Sequence, residues 1–486
     1  MFRKKLWIGA AATAAALAAG AVAAAPLVSA QAGESVIVPR KDNVVSAYFA
    51  NWAVYGRGYY VKDIPAKKLN VIQYAFGNPT FNKDTGAAGC EVTDPWADYQ
   101  QVYWTGDHAV DGVADDANSG NQHLFGNFNQ LLKMKKANPN VKVLISLGGW
   151  TKSTWFSQVA ATPERRAAVV KACLDTFIKG NLPAAGTVGG DGSGAGVFDG
   201  IDIDWEYPTQ VAGGNVDPTP ADRANATALF SEFRSQLDTL GAASKKHYLL
   251  TAAMPAAKNS SKYFQLQKVG QILDWIYVMT YDYNGGWSKK TSPTSLFNSD
   301  PKDENAKDPT WNTTGTVGFY ERSGVSPDKI VVGVPFYGLQ FIRTPEKNAL
   351  WQPYDNKGLD ANSLDFDRTP NPTYHQMVDV AKVLTADGKG QNGFTRKWVS
   401  PAGEPWLFSA TANHHLCDTF NPDGTCVAPY ELQTPTVITY EDPASLHERT
   451  KLVSQSGLRG VFAWELSQDS NDAQLMGELS RLLPKK

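Results

Sequence analysis

The ten residues Phe198 to Tyr207 read FDGIDIDWEY, and they set Asp202, Asp204 and Glu206 at every second position with Ile201, Ile203 and Trp205 between them. Successive side chains of a β-strand point to opposite faces, and positions i and i+2 lie about 6.6 Å apart. The three acids therefore line one face of a strand while the apolar residues pack behind it. Carboxylates so close cannot all ionise freely, so at least one is expected to hold a proton near neutrality, as a general acid must. A solvated edge strand or a calcium loop are the competing readings. A calcium loop needs a glycine turn and a glutamate at its twelfth position, and apolar strand formers stand where that turn would be.

Working outward, short apolar and β-branched runs recur along the chain. They are VVSAYFA from Val44, VIQYAF from Val71, VKVLISL from Val141, the acidic strand itself, YLLTAAM from Tyr248, WIYVMTY from Trp275, KIVVGVPF from Lys329 and GVFAW from Gly460. Helix-like stretches near 124–137, 163–178, 221–240 and 443–457 lie between them. Eight strands interleaved with helices predict an α/β fold, a closed (β/α)8 TIM barrel, with a doubly wound open sheet as the alternative. Barrel chemistry sits at the C-terminal strand ends, which is where the acids and aromatics of this sequence fall. Two connections exceed ordinary loops: 77–123, and about 100 residues from 338 to 440. Trp96, Trp104, Trp351 and Trp406 within them are candidate sugar platforms, the alternative being that they pack the connections themselves.

Composition narrows the class of partner. With 46 basic and 48 acidic residues the net charge is near zero, which favours neither nucleic acid nor a polyanion and suits a neutral polymer. Fourteen Trp and nineteen Tyr exceed the usual needs of a core, and sugar rings present apolar C–H faces that stack on such side chains. Arg3, Lys4 and Lys5, an alanine-rich apolar run to about Val28 and the sequence Val28-Ser29-Ala30 read as a signal peptide over residues 1–30, cleaved after Ala30. A membrane anchor is the alternative, and the weak hydrophobicity of alanine speaks against it. A secreted, extracellular monomer with no membrane partner after processing is expected. Of the three pairings open to Cys90, Cys173, Cys417 and Cys426, Cys417 with Cys426 is favoured because they bracket a Pro- and Gly-containing turn. Cys90 with Cys173 then follows by elimination. No His or Cys spacing resembles a metal site, and neither metal nor cofactor is expected.

The spacing Asp199, Asp202, Asp204, Glu206 resembles the signature of family 18 glycoside hydrolases, the chitinases. SLGGW at Ser146 to Trp150, MTYDYNG at Met279 to Gly285 and GVFAWELSQD at Gly460 to Asp469 resemble that family's third-, sixth- and eighth-strand motifs. The resemblance runs from about Val44 to the C-terminus, over a catalytic region 31–486. It implies that 338–440 is the small α+β insertion, between strands seven and eight, of one chitinase subgroup. It implies hydrolysis of β-1,4 links in chitin and N-acetylglucosamine oligosaccharides with retention, the substrate's own N-acetyl carbonyl acting as nucleophile.

Glu206, nearest the barrel mouth, is then the acid that protonates the leaving oxygen. By the resemblance Asp204 holds the acetamide N–H, Asp202 shares a proton with it, Tyr281 donates to the acetamide oxygen and Asp282 binds the distorted sugar. Trp464 becomes the floor under that sugar. Tyr48, Phe76, Ser146 and Met279 surround it, Trp150 and Tyr207 line the leaving-group side, and Arg343 follows the seventh strand. An endo-acting enzyme that releases N-glycans and a non-catalytic chitin-binding lectin remain the other readings. Retention of Glu206 argues against the lectin.

Overall fold

The computed structural model describes residues 37–485 apart from 212–213, 346–348 and 361–365. The signal peptide expected over residues 1–30 lies outside the described residues. Eight parallel strands close into a barrel: β1 (Val44–Ala50), β2 (Val71–Phe81), β3 (Lys142–Gly148), β4 (Gly200–Asp204), β5 (Leu249–Pro255), β6 (Trp275–Met279), β7 (Ile330–Pro335) and β8 (Gly460–Trp464). Each pairs with its neighbours in chain order. Closure comes from β1, which pairs with β2 through Ser46 and Val71 and with β8 through Val44 and Gly460.

These strands are buried on both faces, which explains their nearly continuous apolar runs. In β1, Val45, Ala47 and Phe49 pack outward against the helical layer while Val44 and Tyr48 join an interior cluster with Val71, Leu144, Tyr277, Val331 and Phe462. β4 follows the same alternation. Ile201, Ile203 and Trp205 belong to the outer layer, where Trp205 stacks on Phe156 at 5.2 Å, and this turns Asp202 and Asp204 to the interior. The helix Asp222–Ser244 buries Ala226, Leu229, Phe230, Phe233 and Leu237, a stripe at helical spacing. Each fully buried Leu or Phe contributes about 2 kcal/mol relative to leaving it exposed.

Both long connections carry structure of their own. After β2 the chain turns back as the strand Ala88–Val92, antiparallel to the end of β2, and Cys90 in it bonds Cys173 at the end of the helix Pro163–Cys173. In 338–440, four antiparallel strands run in the order Leu339–Ile342, Tyr430–Thr439, Glu404–Leu416, Thr395–Val399, with single helical turns at Phe366–Arg368 and Gln376–Val380. Cys417 pairs with Cys426 beyond the long hairpin strand. This sheet has a core of its own, Leu339, Phe341, Trp351, Trp406, Phe408 and Val437, shared with Tyr283 and Leu296 from the connection that follows β6.

Candidate active site

The acidic face of β4 climbs from the barrel interior to its mouth, and the environment changes at each step. Asp202 is fully buried and accepts hydrogen bonds from three other strands, Ser146 Oγ at 2.8 Å and Thr251 Oγ1 at 2.6 Å on its two neighbours and Tyr48 Oη at 3.1 Å from β1. Burial still raises its pKa, and the three donors oppose that rise. Asp204 is 4 % exposed, and its Oδ1 has no hydrogen-bond partner among the described residues. Desolvation first, then the charges of Glu206 and Asp202, push it well above the carboxylate range. Glu206 lies one residue beyond Trp205 and half-buried, its backbone N–H donating to Ser153 Oγ at 2.9 Å. Burial raises it to about 7, with the Asp282 charge adding to the rise and a hydrogen bond with Tyr207 opposing it.

A cavity of about 490 Å³ opens over this face. Of the residues singled out in the sequence, Tyr48, Phe76, Trp150, Asp204, Glu206, Tyr207, Met279, Tyr281, Asp282 and Trp464 all line it. Asp202 and Ser146 lie beneath its floor as a bonded pair. Trp464 is half-buried at the end of β8, with ring centroids of Tyr48 at 5.0 Å, Phe76 at 6.0 Å and Trp52 at 6.4 Å. Asp282 has a φ of 54°, and its Oδ1 accepts from Tyr337 Oη at 2.6 Å and Thr294 Oγ1 at 3.1 Å. Desolvation raises its pKa and these two donors oppose it.

Three expectations need correction. Arg343 is not brought to the cavity. The strand Leu339–Ile342 runs into the insertion sheet, and the guanidinium donates there to Asp355 O at 3.1 Å, Lys357 O at 2.6 Å and Tyr430 Oη at 3.2 Å. Trp351 and Trp406 are 8 % and 6 % exposed within the insertion core, so they are packing residues and not platforms. Trp96 and Trp104 are solvent-exposed, the former stacked on Tyr55 at 5.5 Å. Asp199, first acid of the signature, is also not in the cavity. It pairs with Lys135 at 2.8 Å and accepts from Val143 N–H ahead of β4.

Tyr337 and Trp52 are two aromatic lining residues among those that sequence reasoning passed over. Each stands two residues past the C-terminal end of a barrel strand, β7 and β1, where barrel site residues gather. That rule, applied to every strand, would have found both.

Carboxyl groups graded from sealed to accessible, facing an aromatic floor at the mouth of a parallel barrel, define the site of a barrel glycosidase. The chain belongs to glycosyl hydrolases family 18, whose model matches residues 44–469. Chitinase A1 of Niallia circulans is 32 % identical over 90 % of this chain and 58 % of its own length. Endochitinase 1 of Metarhizium robertsii is 30 % identical over 88 % of this chain and 81 % of its own. Among solved structures, the catalytic domain of the psychrophilic chitinase B from Arthrobacter TAD20 superposes with a TM-score of 0.75 at 31 % identity, covering 92 % of this chain and 97 % of that one. The chain thus spans under three fifths of the bacterial chitinase A1.

Proposed function

We propose that the protein hydrolyses β-1,4 links between N-acetylglucosamine units of chitin, with retention of configuration and with the substrate's acetamide as nucleophile. The observation that carries this reading is the state of Asp204. A retaining glycosidase with its own nucleophile needs an ionised carboxylate beside the acid. Asp204 is nearly buried, next to two other carboxyl groups and pushed well above the usual carboxylate range by desolvation and by their charges, which disfavours the ionised form that a nucleophile needs. Glu206, raised to about 7, is suited to give a proton.

In this mechanism Glu206 protonates the glycosidic oxygen as the acetamide oxygen attacks the anomeric carbon and the C–O bond breaks. Asp204 passes its proton to Asp202 and accepts the acetamide N–H, which stabilises the oxazolinium-like cation. Tyr281 donates to the acetamide oxygen, and Trp464 and Asp282 hold the distorted ring. Glu206, now a carboxylate, deprotonates the water that opens the bicyclic intermediate. The basic, then apolar, beginning of the sequence and the two disulfides support export of the enzyme to an oxidising compartment. No helix among the described residues is long and apolar enough to cross a membrane.

Incubation with chitin, partly and fully deacetylated polymer and a high-mannose glycoprotein tests the reading. Cleavage after acetylated units only, β-anomeric first products by proton NMR and no release of N-glycan are expected. A thiazoline analogue of the intermediate should inhibit. Cleavage after glucosamine units at a comparable rate would overturn the mechanism, release of glycans the substrate, and binding of chitin without turnover the activity.

A further inference from the structure

Arg449 lies in the helix Pro443–Ser456, touches no part of the cleft and is fully buried beside two carboxyl groups, Glu404 at 1 % and Glu441 at 2 % exposure. Its Nη2 donates to Glu404 Oε1, to Glu441 Oε1 at 2.9 Å and to both the carbonyl and Oγ of Ser295 at 3.1 Å. Glu404 also accepts the N–H of Phe297 at 2.9 Å, and the Phe297 ring lies 5.4 Å under the guanidinium. Three ionisable groups sealed together are costly to desolvate, and a hydrophobic cluster of similar volume is often as stable. Stability alone therefore gives no reason for them.

The partners of the cluster point elsewhere. Ser295 and Phe297 belong to the segment 291–298, and its other face meets the end of β6. Ser295 Oγ donates to Thr280 O at 2.9 Å, Tyr283 N–H donates to Thr294 O at 3.0 Å, and Thr294 Oγ1 donates to Asp282 Oδ1. Asp282 N–H returns a bond to Thr294 Oγ1 at 3.3 Å. A second tie comes from the insertion, where Thr439 Oγ1 donates to Ser292 O at 3.0 Å. A single strip of chain thus joins the buried ion cluster to the cleft carboxylate, through directional bonds at both faces.

We propose that Arg449, with Glu404 and Glu441, is a positioning residue for the cleft: the cluster anchors the 291–298 segment, and that segment fixes the Asp282 carboxylate toward the bound sugar. The two N–H groups of Nη2 are shared among the Ser295 carbonyl and hydroxyl and the two carboxylates, and Nη1 ties the guanidinium to Ser445 O at 3.1 Å, a set of bonds that an apolar replacement cannot supply. The catalytic consequence rests on the reading of Asp282 as a sugar-binding group; the anchoring itself does not. Misplacement of such a group by about 1 Å can cost on the order of 100-fold in rate.

The test uses the full chain and three variants: Arg449→Met, Ser295→Ala and Thr294→Val. Arg449→Met and Thr294→Val are expected to lower kcat on a soluble N-acetylglucosamine oligomer by about 10-fold or more with KM changed far less, and Ser295→Ala by a smaller factor. Arg449→Lys, which keeps the charge but not the planar guanidinium, should recover only part of the loss. Crystal structures of Arg449→Met and Ser295→Ala should show the 291–298 segment displaced and the Asp282 carboxylate off its Tyr337 and Thr294 partners. If Arg449→Met does not fold, Ser295→Ala and Thr294→Val carry the same measurements. Variants that melt lower yet keep kcat and the Asp282 geometry would overturn the proposal. Displacement of Asp282 in these variants, together with a wild-type protein that cleaves no chitin oligomer, would uphold the anchor and sink the substrate reading instead.

Discussion

Strand β4 ends at the barrel's C-terminal side and the strand Leu339–Ile342 follows the end of β7 there, yet their polar and aromatic residues meet different fates. On β4 the barrel register decides everything. Both faces of the strand are occupied, so a residue that is not in the outer layer is in the interior or the cleft, and the three acids have nowhere else to go. The insertion has no such frame. It is an antiparallel sheet that must bury its own apolar face, and Phe341, Trp351, Trp406 and Phe408 are drawn inward to do it. Side-chain direction can be read from a sequence where a closed sheet imposes a period of two, and cannot where a subdomain folds around its own core.

The largest expected effect tests the barrel side of that contrast. Glu206→Gln keeps the shape and removes the transferable proton, so turnover of chitin oligomers should fall by about 100- to 10,000-fold while binding stays within a few-fold. Wild-type activity should decline on the alkaline side with an apparent pKa near 7, a value belonging to the interacting carboxyl set and not to one residue. Stability gives an independent check. Glu206 is raised from 4.5 to about 7, so the native state holds this proton more firmly than the unfolded chain, and wild-type stability declines as pH rises between those values. Glutamine has no such penalty. The melting temperature of Glu206→Gln should match wild type near pH 4 and exceed it above pH 7, and a constant difference across that range would show that Glu206 is not buried in a charge-sensitive site.

Tryptophan sharpens the comparison. Trp464→Ala should remove a stacking surface worth about 1 kcal/mol or more in oligosaccharide binding, at little cost to the insertion. Trp406→Ala should do the reverse, with a stability loss of about 3–5 kcal/mol and near-normal affinity in the fraction that stays folded. Calorimetric titration and thermal melting on both variants would separate the roles. Equal loss of affinity would mean that the insertion wall, and not only the barrel floor, contacts sugar.

The eight strands were legible because parallel barrel strands are short apolar runs with little room for variation, and β1 and β8 match their expected limits residue for residue. The carboxyl gradient was legible in spacing but not in degree, because the donors that hold Asp202 come from β1, β3 and β5, far apart in sequence. Tyr337 escaped because the eye stops at the strand, and the Arg449 cluster because its three charges are scattered over 404–449 and only tertiary packing seals them from water.

The smallest effect falls where expectation and structure part. Arg343 was assigned to the cleft from its place after β7, whereas its guanidinium satisfies two backbone carbonyls and the Tyr430 hydroxyl at the far side of the insertion strand. Its φ of 50° lies in the left-handed region, so the chain turns sharply there and the side chain is committed to the 355–357 loop. Arg343→Ala should therefore leave kcat and KM on chitin oligomers within about twofold. It should lower the melting temperature slightly, since hydrogen bonds from a charged donor contribute about 1.5–3 kcal/mol when buried and less where water can replace the partner, as it can around this half-buried residue. Tyr337→Phe, on the same connection but bonded to Asp282, should do the opposite, lowering kcat with the melting temperature nearly unchanged. A loss of oligosaccharide affinity in Arg343→Ala as large as that in Trp464→Ala would mean that the insertion swings over the cleft when sugar binds, and the boundary drawn between the two regions would have to move.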